Sequence, residues 1–551
     1  MRTPSLARRY APLLGLLAVQ LVVIAAFPSK AERPVATATA APVAPGVAQQ
    51  AGDGEPAIAG PGSTPTTAAA TDATAPGGKP VGDTSHCVAG RQFDPAIDYY
   101  APPCVPAWSG SNGGSTYRGV TATTVKLIQY YPRQNPAVSA IATALGANVT
   151  TAQLQQLAAV VEPFINDHYE LYGRRVVLKV VQGDCVNVPP DPACFRNEFR
   201  RIVQAEQPYA VIWNGPLCSA CFDELSALQV VNIGGYHFQD SFSRARAPYH
   251  WDVQESGTTA NQAFGELWCA DLTGKPAVHA VNRPGNTNGA IRKLGVISAN
   301  DPQNQGAVGA LKAALGRCGQ RLAAEYYYSQ DISSAPQQAQ TALRRLKEAG
   351  VTTLLCECDA VSATLLYGGE EQNGYYPENV IAGLGFADAD TAGQGFDGRA
   401  SCTTGPPCAF DGAFGLSSLA AQEPIGKDRV ARVWHAGGGK GDPPFATALQ
   451  VWDYWSLAAT LVQAAGPNLT PATMDAGVRA YGMRGGGASG QIARGFPAGS
   501  YSWAQDMRVV YWDRSGRSAY NGKPGTFVQL GPRATLGGYR PGATAGVPRR
   551  T

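Results

Sequence analysis

Short β-type apolar runs alternate with helical apolar repeats along residues 117–245. The β-type runs lie at 125–128, 176–181, 210–213 and 230–233. Between them, apolar residues recur three and four positions apart, as on one buried face of a helix. Pro163 falls inside the first of these helical repeats and predicts a kink there. Alternation of this kind, with short glycine and proline breakers, predicts βαβ units around a parallel sheet.

The same alternation restarts over residues 257–385. Asp301-Pro302 is a helix N-cap followed by a first-turn proline, and Gly319 and Gly350 end two predicted helices. The predicted strands lie at 294–297, 323–328, 352–356 and 380–382. A short β-like connector, 248–253, separates the two runs. The pattern therefore predicts two α/β lobes joined by a strand-like hinge.

A third region, 414–530, follows the two runs. It contains a strand at 414–419, a long helix around 449–459 that ends at Gly466-Pro467, and a further helix that begins at Thr470-Pro471. Two apolar runs, 507–512 and 526–530, predict a terminal hairpin that turns at Asp513-Arg514-Ser515-Gly516.

The N-terminal region has a different composition. Arg2, Arg8 and Arg9 precede an uncharged apolar run, 11–27, and Ser29-Lys30-Ala31 supplies small residues for cleavage. Residues 1–31 therefore predict a secretory signal peptide, with an uncleaved membrane anchor as the alternative. Ala, Pro, Thr and Gly dominate the sequence that follows, and we assign 32–115 to a flexible linker. We also expect 537–551 to be a disordered tail.

Composition excludes some functions and suggests a compartment. The 551 residues include 44 basic and 41 acidic side chains, a net charge of +3 that gives no case for nucleic-acid binding. Twelve cysteines point to an oxidising compartment. Proximity along the chain suggests five close pairs, and elimination then leaves Cys269–Cys318. The proximity pairs are Cys87–Cys104, Cys185–Cys194, Cys218–Cys221, Cys356–Cys358 and Cys402–Cys408. A Cys356–Cys358 bridge would close a strained short ring, so we expect one of these thiols to pair elsewhere.

Signatures of catalysis and of metal binding are weak. Hydrolase, zinc-protease and phosphate-loop motifs do not occur, and none of the six histidines shows metal spacing with a cysteine pair. We therefore predict no enzyme activity, no cofactor and no metal. Cys218-Ser219-Ala220-Cys221 is a C-x-x-C sequence at a helix start, which we interpret as a structural disulfide. A secreted thiol oxidoreductase is the alternative hypothesis.

The order of these elements resembles a type I periplasmic substrate-binding protein. The segments that carry the resemblance are 119–129, 172–178, 249–253, 296–306 and 411–416. The resemblance is nearest to the branched-chain amino-acid receptors of ABC transporters, in particular their actinobacterial versions. It implies an α/β fold of two doubly wound parallel-sheet lobes joined by a multi-strand hinge. Lobe one would contain 116–248 and 415–485, and lobe two would contain 249–414 and 486–536.

This resemblance implies an exported solute-binding protein. The chain would capture a small polar organic ligand, such as an amino acid or an amide, between its lobes and deliver it to an ABC-transporter permease. Membrane association would involve only an uncleaved N-terminal segment. A non-transport extracellular sensor or surface interaction protein with the same fold is the alternative, motivated by the long linker.

Ligands of open parallel sheets bind beyond the carboxyl ends of the strands, so the strand-end loops supply the candidate residues. In lobe one the candidates are Tyr131, Asn214, Ser219 and Tyr236; in lobe two they are Gln305, Asp359, Phe386 and Asp388. Two loops depart from the amino-acid receptors. Residues 234–238 lack the hydroxyl pair that would hold an α-carboxylate, and Gln305 stands where an aromatic residue precedes the glycine. The resemblance therefore supports the fold and ligand binding better than it supports an amino-acid ligand.

Overall fold

A computed structural model describes residues 82–144, 148–213, 218–235, 237–383, 387–398, 401–402 and 405–550. The predicted signal peptide or anchor, 1–31, lies outside the described residues. The strands are β1 (Thr124–Arg133), β2 (Arg175–Val186), β3 (Ala210–Trp213), β4 (Val231–Gly234), β5 (His250–Trp251), β6 (Leu294–Ala299), β7 (Ala324–Tyr328), β8 (Thr353–Glu357), β9 (Glu378–Ala382), β10 (Phe414–Ser417), β11 (Met507–Arg517) and β12 (Pro524–Ala534). The α-helices are α1 (Pro136–Ala144), α2 (Thr151–His168), α3 (Pro192–Glu206), α4 (Ser219–Ala227), α5 (Asp240–Ala245), α6 (Gly257–Leu267), α7 (Pro302–Gly316), α8 (Ala335–Glu348), α9 (Ala360–Asn373), α10 (Asp390–Phe396), α11 (Arg429–Ala436), α12 (Ala448–Ala464) and α13 (Pro471–Arg479).

Lobe one is built on a five-stranded sheet in the order β2-β1-β3-β4-β5. All of its neighbouring strands are parallel, and Leu127 of β1 pairs with Leu178 on one side and Ala210 on the other. Each residue of β3 and β4 is buried, as expected for the central strands of a parallel sheet covered by helices on both faces. This arrangement explains why these strands appear in the sequence as continuous apolar runs.

Lobe two is built on a seven-stranded sheet in the order β12-β11-β10-β9-β8-β6-β7. The strands from β10 to β7 are parallel, and the β11–β12 hairpin adds to β10 in antiparallel orientation. The predicted hairpin exists, but its turn lies after Arg517 and not at 513–516. The Asp513 side chain accepts a hydrogen bond from Ser515 N at 2.9 Å, and the strand register shifts between Asp513 and Arg517. These residues therefore form an irregularity within β11.

The chain passes between the two sheets along three segments. The first, 252–256, follows β5, and the second, 418–428, follows β10 and leads back to α11–α13, which complete the core of lobe one. The third leads from α13 to β11 and runs beside the first, since Asp252 N donates to Tyr501 O at 2.9 Å and Trp503 N donates to Asp252 O at 2.8 Å. Strand β10 belongs wholly to the second sheet, so the predicted lobe boundary at residue 415 falls inside a lobe-two strand.

Two regions that the sequence predicts to be flexible or disordered are folded wherever the structure describes them. In the predicted linker, Phe93 and Tyr100 are buried in the core of lobe one. In the predicted tail, Tyr539 and Val547 are buried against lobe two. Both predictions are wrong for these stretches. The stretches fold because their aromatic and branched side chains supply apolar surface to bury, which the Ala/Pro/Thr-rich part of the linker lacks.

All five predicted disulfides are present: Cys87–Cys104, Cys185–Cys194, Cys218–Cys221, Cys269–Cys318 and Cys402–Cys408. The expectation for the remaining two cysteines is wrong, because Cys356 and Cys358 pair with each other across Glu357. Among the helices within the described ranges, none is both long and apolar enough to cross a bilayer.

Candidate ligand-binding site

A cavity of about 470 Å³ lies between the two lobes. Its volume falls within the range of ~300–1,000 Å³ typical of small-molecule sites. The carboxyl ends of strands from both sheets reach it, as the topology of open parallel sheets requires. The start of α12 contributes a third portion of the wall through Thr447, Gln450 and Val451.

Lobe one contributes aromatic and apolar side chains to the wall, beside the amide side chains of Gln129, Gln134, Asn148 and Asn187. Tyr131 and Pro132 come from the end of β1, Leu154 from the first turn of α2, and Trp213 from the last position of β3. The Tyr131 hydroxyl donates to the Val149 carbonyl. The Trp213 ring stacks on Phe195 and Phe222 at centroid distances of 5.0 and 5.3 Å. These contacts hold the two large side chains in place.

Lobe two contributes a more polar wall, which includes Asp359. Asp359 is the N-cap of α9 and accepts hydrogen bonds from Val361 N at 2.9 Å and Ser362 N at 3.0 Å. It also accepts from Ser362 Oγ at 2.7 Å and from the Tyr328 hydroxyl at 2.9 Å. Four donors therefore satisfy this carboxylate within the protein, and its observed role is that of a helix cap.

Glu357, the last residue of β8, lines the same wall and is 4% exposed. Its Oε2 accepts a hydrogen bond from Ser298 Oγ at 3.2 Å. Its Oε1 has no hydrogen-bond partner among the described residues. Burial raises the pKa of Glu357 to about 7, an effect that nearby Asn261 and Ser298 oppose. The cavity wall therefore contains a carboxyl group that titrates near neutral pH.

His237 reaches the cavity from the loop after β4. Its Nδ1 lies 3.0 Å from the Glu255 carbonyl oxygen, which places a proton on Nδ1. Burial lowers the pKa of His237 to about 4, so the imidazole is neutral at physiological pH.

The structure describes five of the eight predicted site residues, and two of these five line the cavity. Tyr131 and Asp359 line the cavity. Gln305 is exposed outside it and donates to Asn300 Oδ1 at 2.8 Å, while the preceding Asn304 lines the cavity instead. Helix α7 begins at Pro302, and this starting point sets which side chains of its first turn face the other lobe. Asn304, rather than Gln305, is on that side. Ser219, at the start of α4, does not line the cavity either.

Asp388 is buried behind the cavity at the hinge. Its Oδ2 accepts from Ser417 Oγ at 2.7 Å and from Ser418 N at 3.0 Å, and burial raises its pKa to about 6. These bonds join Asp388 to the end of β10, so it is placed to support the second crossing segment. The remaining candidates, Asn214, Tyr236 and Phe386, lie outside the described residues.

Sequence reasoning missed Glu357, Trp213 and His237 as residues of the cavity wall. Glu357 carried a usable signal, because a carboxylate ends an otherwise apolar strand run. Its position between two cysteines drew the interpretation toward disulfide pairing. His237 carried no periodic signal, since it lies in a loop.

Metal or thiol chemistry has little support at this site. Within the described ranges, no group of three or more His, Cys, Asp or Glu side chains is arranged to hold a metal ion. Cys218 and Cys221 are both buried, and neither lines the cavity. This burial favours the structural interpretation of their disulfide over exchange with a substrate.

Three solved structures share the architecture. A fatty acid ABC transporter substrate-binding protein from Thermomonospora curvata is 14% identical, with a TM-score of 0.52 over 81% of this chain and 100% of its own. A branched-chain amino acid ABC transporter protein from Thermus thermophilus with bound valine is 13% identical, with a TM-score of 0.51 over 75% and 97%. An ABC transporter substrate-binding protein from Aeropyrum pernix is 13% identical, with a TM-score of 0.50 over 75% and 96%.

Neither a protein-family model nor a curated protein matches the chain. The structural similarity shows the fold of type I periplasmic substrate-binding proteins. The predicted resemblance to that class and the predicted two-lobed α/β fold are therefore confirmed.

Proposed function

We propose that this chain is an extracytoplasmic solute-binding protein that captures a small organic molecule between its lobes for an ABC-transporter permease. The observation that carries the proposal is the cavity enclosed by the strand ends of both sheets. The structural neighbours, which are substrate-binding proteins of ABC transporters, support the same role.

Capture requires no covalent step. Aromatic and apolar side chains of the wall exclude water from the body of a ligand, and polar side chains from both lobes orient it. The lobes can close over a ligand by small backbone changes in the first two crossing segments, 252–256 and 418–428. Tyr131 and Asp359 remain in the proposed contact surface, and export, the permease and a polar ligand remain parts of the proposal.

A cavity-filling variant tests the proposal. Ala360 begins α9 and lines the cavity, so Ala360→Trp is expected to occupy the space of a ligand. Ala313, on the exposed face of α7, provides the matched control Ala313→Trp. The three full-length proteins would be screened by thermal shift against a panel of amino acids, carboxylates, amines, alcohols, amides and polyols. A ligand at 100 times its Kd stabilises a protein by about 2.7 kcal/mol, a readily measured shift.

We expect at least one compound class to raise the Tm of the wild type and of Ala313→Trp but not of Ala360→Trp. Small-angle scattering should show a smaller radius of gyration with that compound bound. A silent panel, or an unchanged response in Ala360→Trp, would remove the cavity as a capture site.

A further inference from the structure

The charge of the cavity wall is one-sided. Among its described residues are Asp331, Glu357 and Asp359, and none of the described lining residues is lysine or arginine. His237 is neutral at physiological pH, as shown above. The described part of the cavity wall therefore supplies no cation to receive a ligand carboxylate.

The three carboxylates differ in how far the protein satisfies them. Four donors surround Asp359, and Asp331 is exposed and accepts from Ser333 N at 3.0 Å and Ser333 Oγ at 2.8 Å. Glu357 is buried, and no ion pair is formed to it within the described part of the chain. Burying an ionised carboxylate without a partner is unfavourable, so Glu357 is the group with the most to gain from a ligand.

A second acceptor lies beside Glu357. Asn304 Nδ2 donates to Ser298 Oγ at 3.3 Å, and the same hydroxyl donates to Glu357 Oε2. Asn304 Oδ1, like Glu357 Oε1, is buried and has no hydrogen-bond partner among the described residues. Ser298 therefore links two residues of the cavity wall that each carry a buried acceptor oxygen without a partner among the described residues, and a group with several N–H donors would satisfy such acceptors.

We propose that the ligand is an organic amine with an apolar body, whose ammonium group pairs with Glu357 and Asn304 while its aliphatic or aromatic portion lies against Tyr131, Leu154 and Ile332. This inference rests on the proposed function and names its substrate class. An ammonium group supplies both the positive charge and the donors that this cluster lacks. A ligand carboxylate would face a like charge without a compensating cation.

Head-group series test the inference by calorimetry on the full chain at pH 8. One series keeps a phenyl ring and two carbons: 2-phenylethylamine, 2-phenylethanol and phenylacetate. The other keeps six carbons: hexylamine, hexanol and hexanoate. We expect each amine to bind at least tenfold more tightly than its matched alcohol, and each carboxylate more weakly than the alcohol.

Glu357→Gln removes the charge with little change in shape. We expect it to weaken amine binding at least tenfold and to change alcohol binding less than threefold. Glu325→Gln, the same substitution at an exposed position of β7, is the control and should change neither. A melting curve for each variant confirms that it is folded.

Other outcomes separate the two proposals. Carboxylates that bind as tightly as amines, or amine binding unaffected by Glu357→Gln, would overturn the inference and leave the capture function in place. If the panel compounds that bind include no amine, the inference is likewise overturned and the capture function stands. Silence of both series and of the whole panel would remove both proposals.

Discussion

Two carboxylates of this protein, Asp453 and Glu357, differ in their surroundings. Asp453, on α12, accepts from Arg429 Nη2 at 2.6 Å and from Arg494 at 2.9 and 2.6 Å. Burial opposes its ionisation, but the two guanidinium groups outweigh burial and lower the pKa of Asp453. Glu357 has no such neighbour, and burial raises its pKa to about 7.

The contrast separates a structural carboxylate from one available to a ligand. Arg429 also contacts Asp98 at 3.2 Å, so the Asp453 cluster joins the N-terminal segment, α11, α12 and the third crossing segment. Every charge there has a partner inside the protein. Glu357 lies in a cavity wall whose described residues include no lysine or arginine. Its carboxylate therefore lacks a counter-charge, which favours a cationic ligand.

The largest effect is expected where the paired carboxylate is removed. Asp453→Asn leaves Arg494 buried without its counter-charge and Arg429 with Asp98 alone, and we expect the free energy of unfolding to fall by about 3–5 kcal/mol. Urea unfolding at pH 8 measures this value. Glu357→Gln, the matched loss of an unpaired charge, should not lower stability under the same conditions. Equal losses in the two variants would contradict the distinction drawn here.

The pH dependence of stability provides the second comparison. The pKa of Glu357 is raised from 4.5 to about 7, so its contribution to stability is present below about pH 4.5 and is lost as pH rises through about 7. Relative to Glu357→Gln, the wild type should lose up to about 3 kcal/mol between pH 4.5 and 8, at ~1.4 kcal/mol per pKa unit. Urea unfolding at several pH values measures the difference between the two proteins.

Other titratable groups near Glu357 are not expected to produce that difference. Tyr327 and the cavity residue Tyr328 have pKa values raised by burial and stay protonated, and His237 stays neutral over most of this range. Asp331 lines the cavity in both proteins, and the hinge carboxyl Asp388 is also common to both, so the titration of these two groups cancels. If the difference in the free energy of unfolding between the wild type and Glu357→Gln stays constant from pH 4.5 to 8, ionisation of Glu357 does not destabilise the folded protein.

An intermediate effect is expected at Asp271, which hydrogen bonds satisfy. Its side chain accepts from Lys275 Nζ at 2.7 Å, Gly542 N at 2.9 Å, Thr544 N at 2.7 Å and Thr544 Oγ1 at 2.6 Å. Asp271→Asn should cost about 1–3 kcal/mol, because one acceptor oxygen becomes a donor facing donors. Hydrogen exchange should increase over 537–550. Thr544→Ser, which keeps the hydroxyl, should leave that exchange close to the wild-type level.

The smallest effect is expected at an exposed pair. Glu325 on β7 lies 3.1 Å from Lys312 on α7, and both side chains are substantially exposed. Solvent screening leaves such pairs worth less than about 1 kcal/mol, so Glu325→Gln should shift the urea midpoint only slightly. A loss as large as that of Asp271→Asn would mean that exposure is a poor guide to the energetics of charge in this protein.

Sequence reasoning succeeded where the signal is local. The apolar runs at 125–128 and 210–213 and the Asp301-Pro302 helix start correspond to β1, β3 and α7. Proximity along the chain also predicted four disulfides correctly. The prediction failed for Cys356–Cys358, because an expectation about ring strain took precedence over spacing.

For the candidate site, strand-end logic identified the correct loops but not always the correct residue. Asp359 and Tyr131 line the cavity, whereas Gln305 misses it by one position because the phase of α7 decides which side chain faces the other lobe. Glu357 was missed because its importance depends on the lack of a cation near it in the folded chain. A local sequence pattern does not report that property.

The amino-acid sequence by itself determined the two α/β lobes, their strand-like connector and most of the disulfides, because the periods of helices and strands and the spacing of cysteines are local properties. Only the tertiary structure decided which buried acids are paired. Arg494 reaches Asp453 from 41 residues away, and Ser298 reaches Glu357 from 59 residues away. Contacts at such separations depend on sheet register and on the return of the chain between the lobes, and these are set by the packing of the whole molecule.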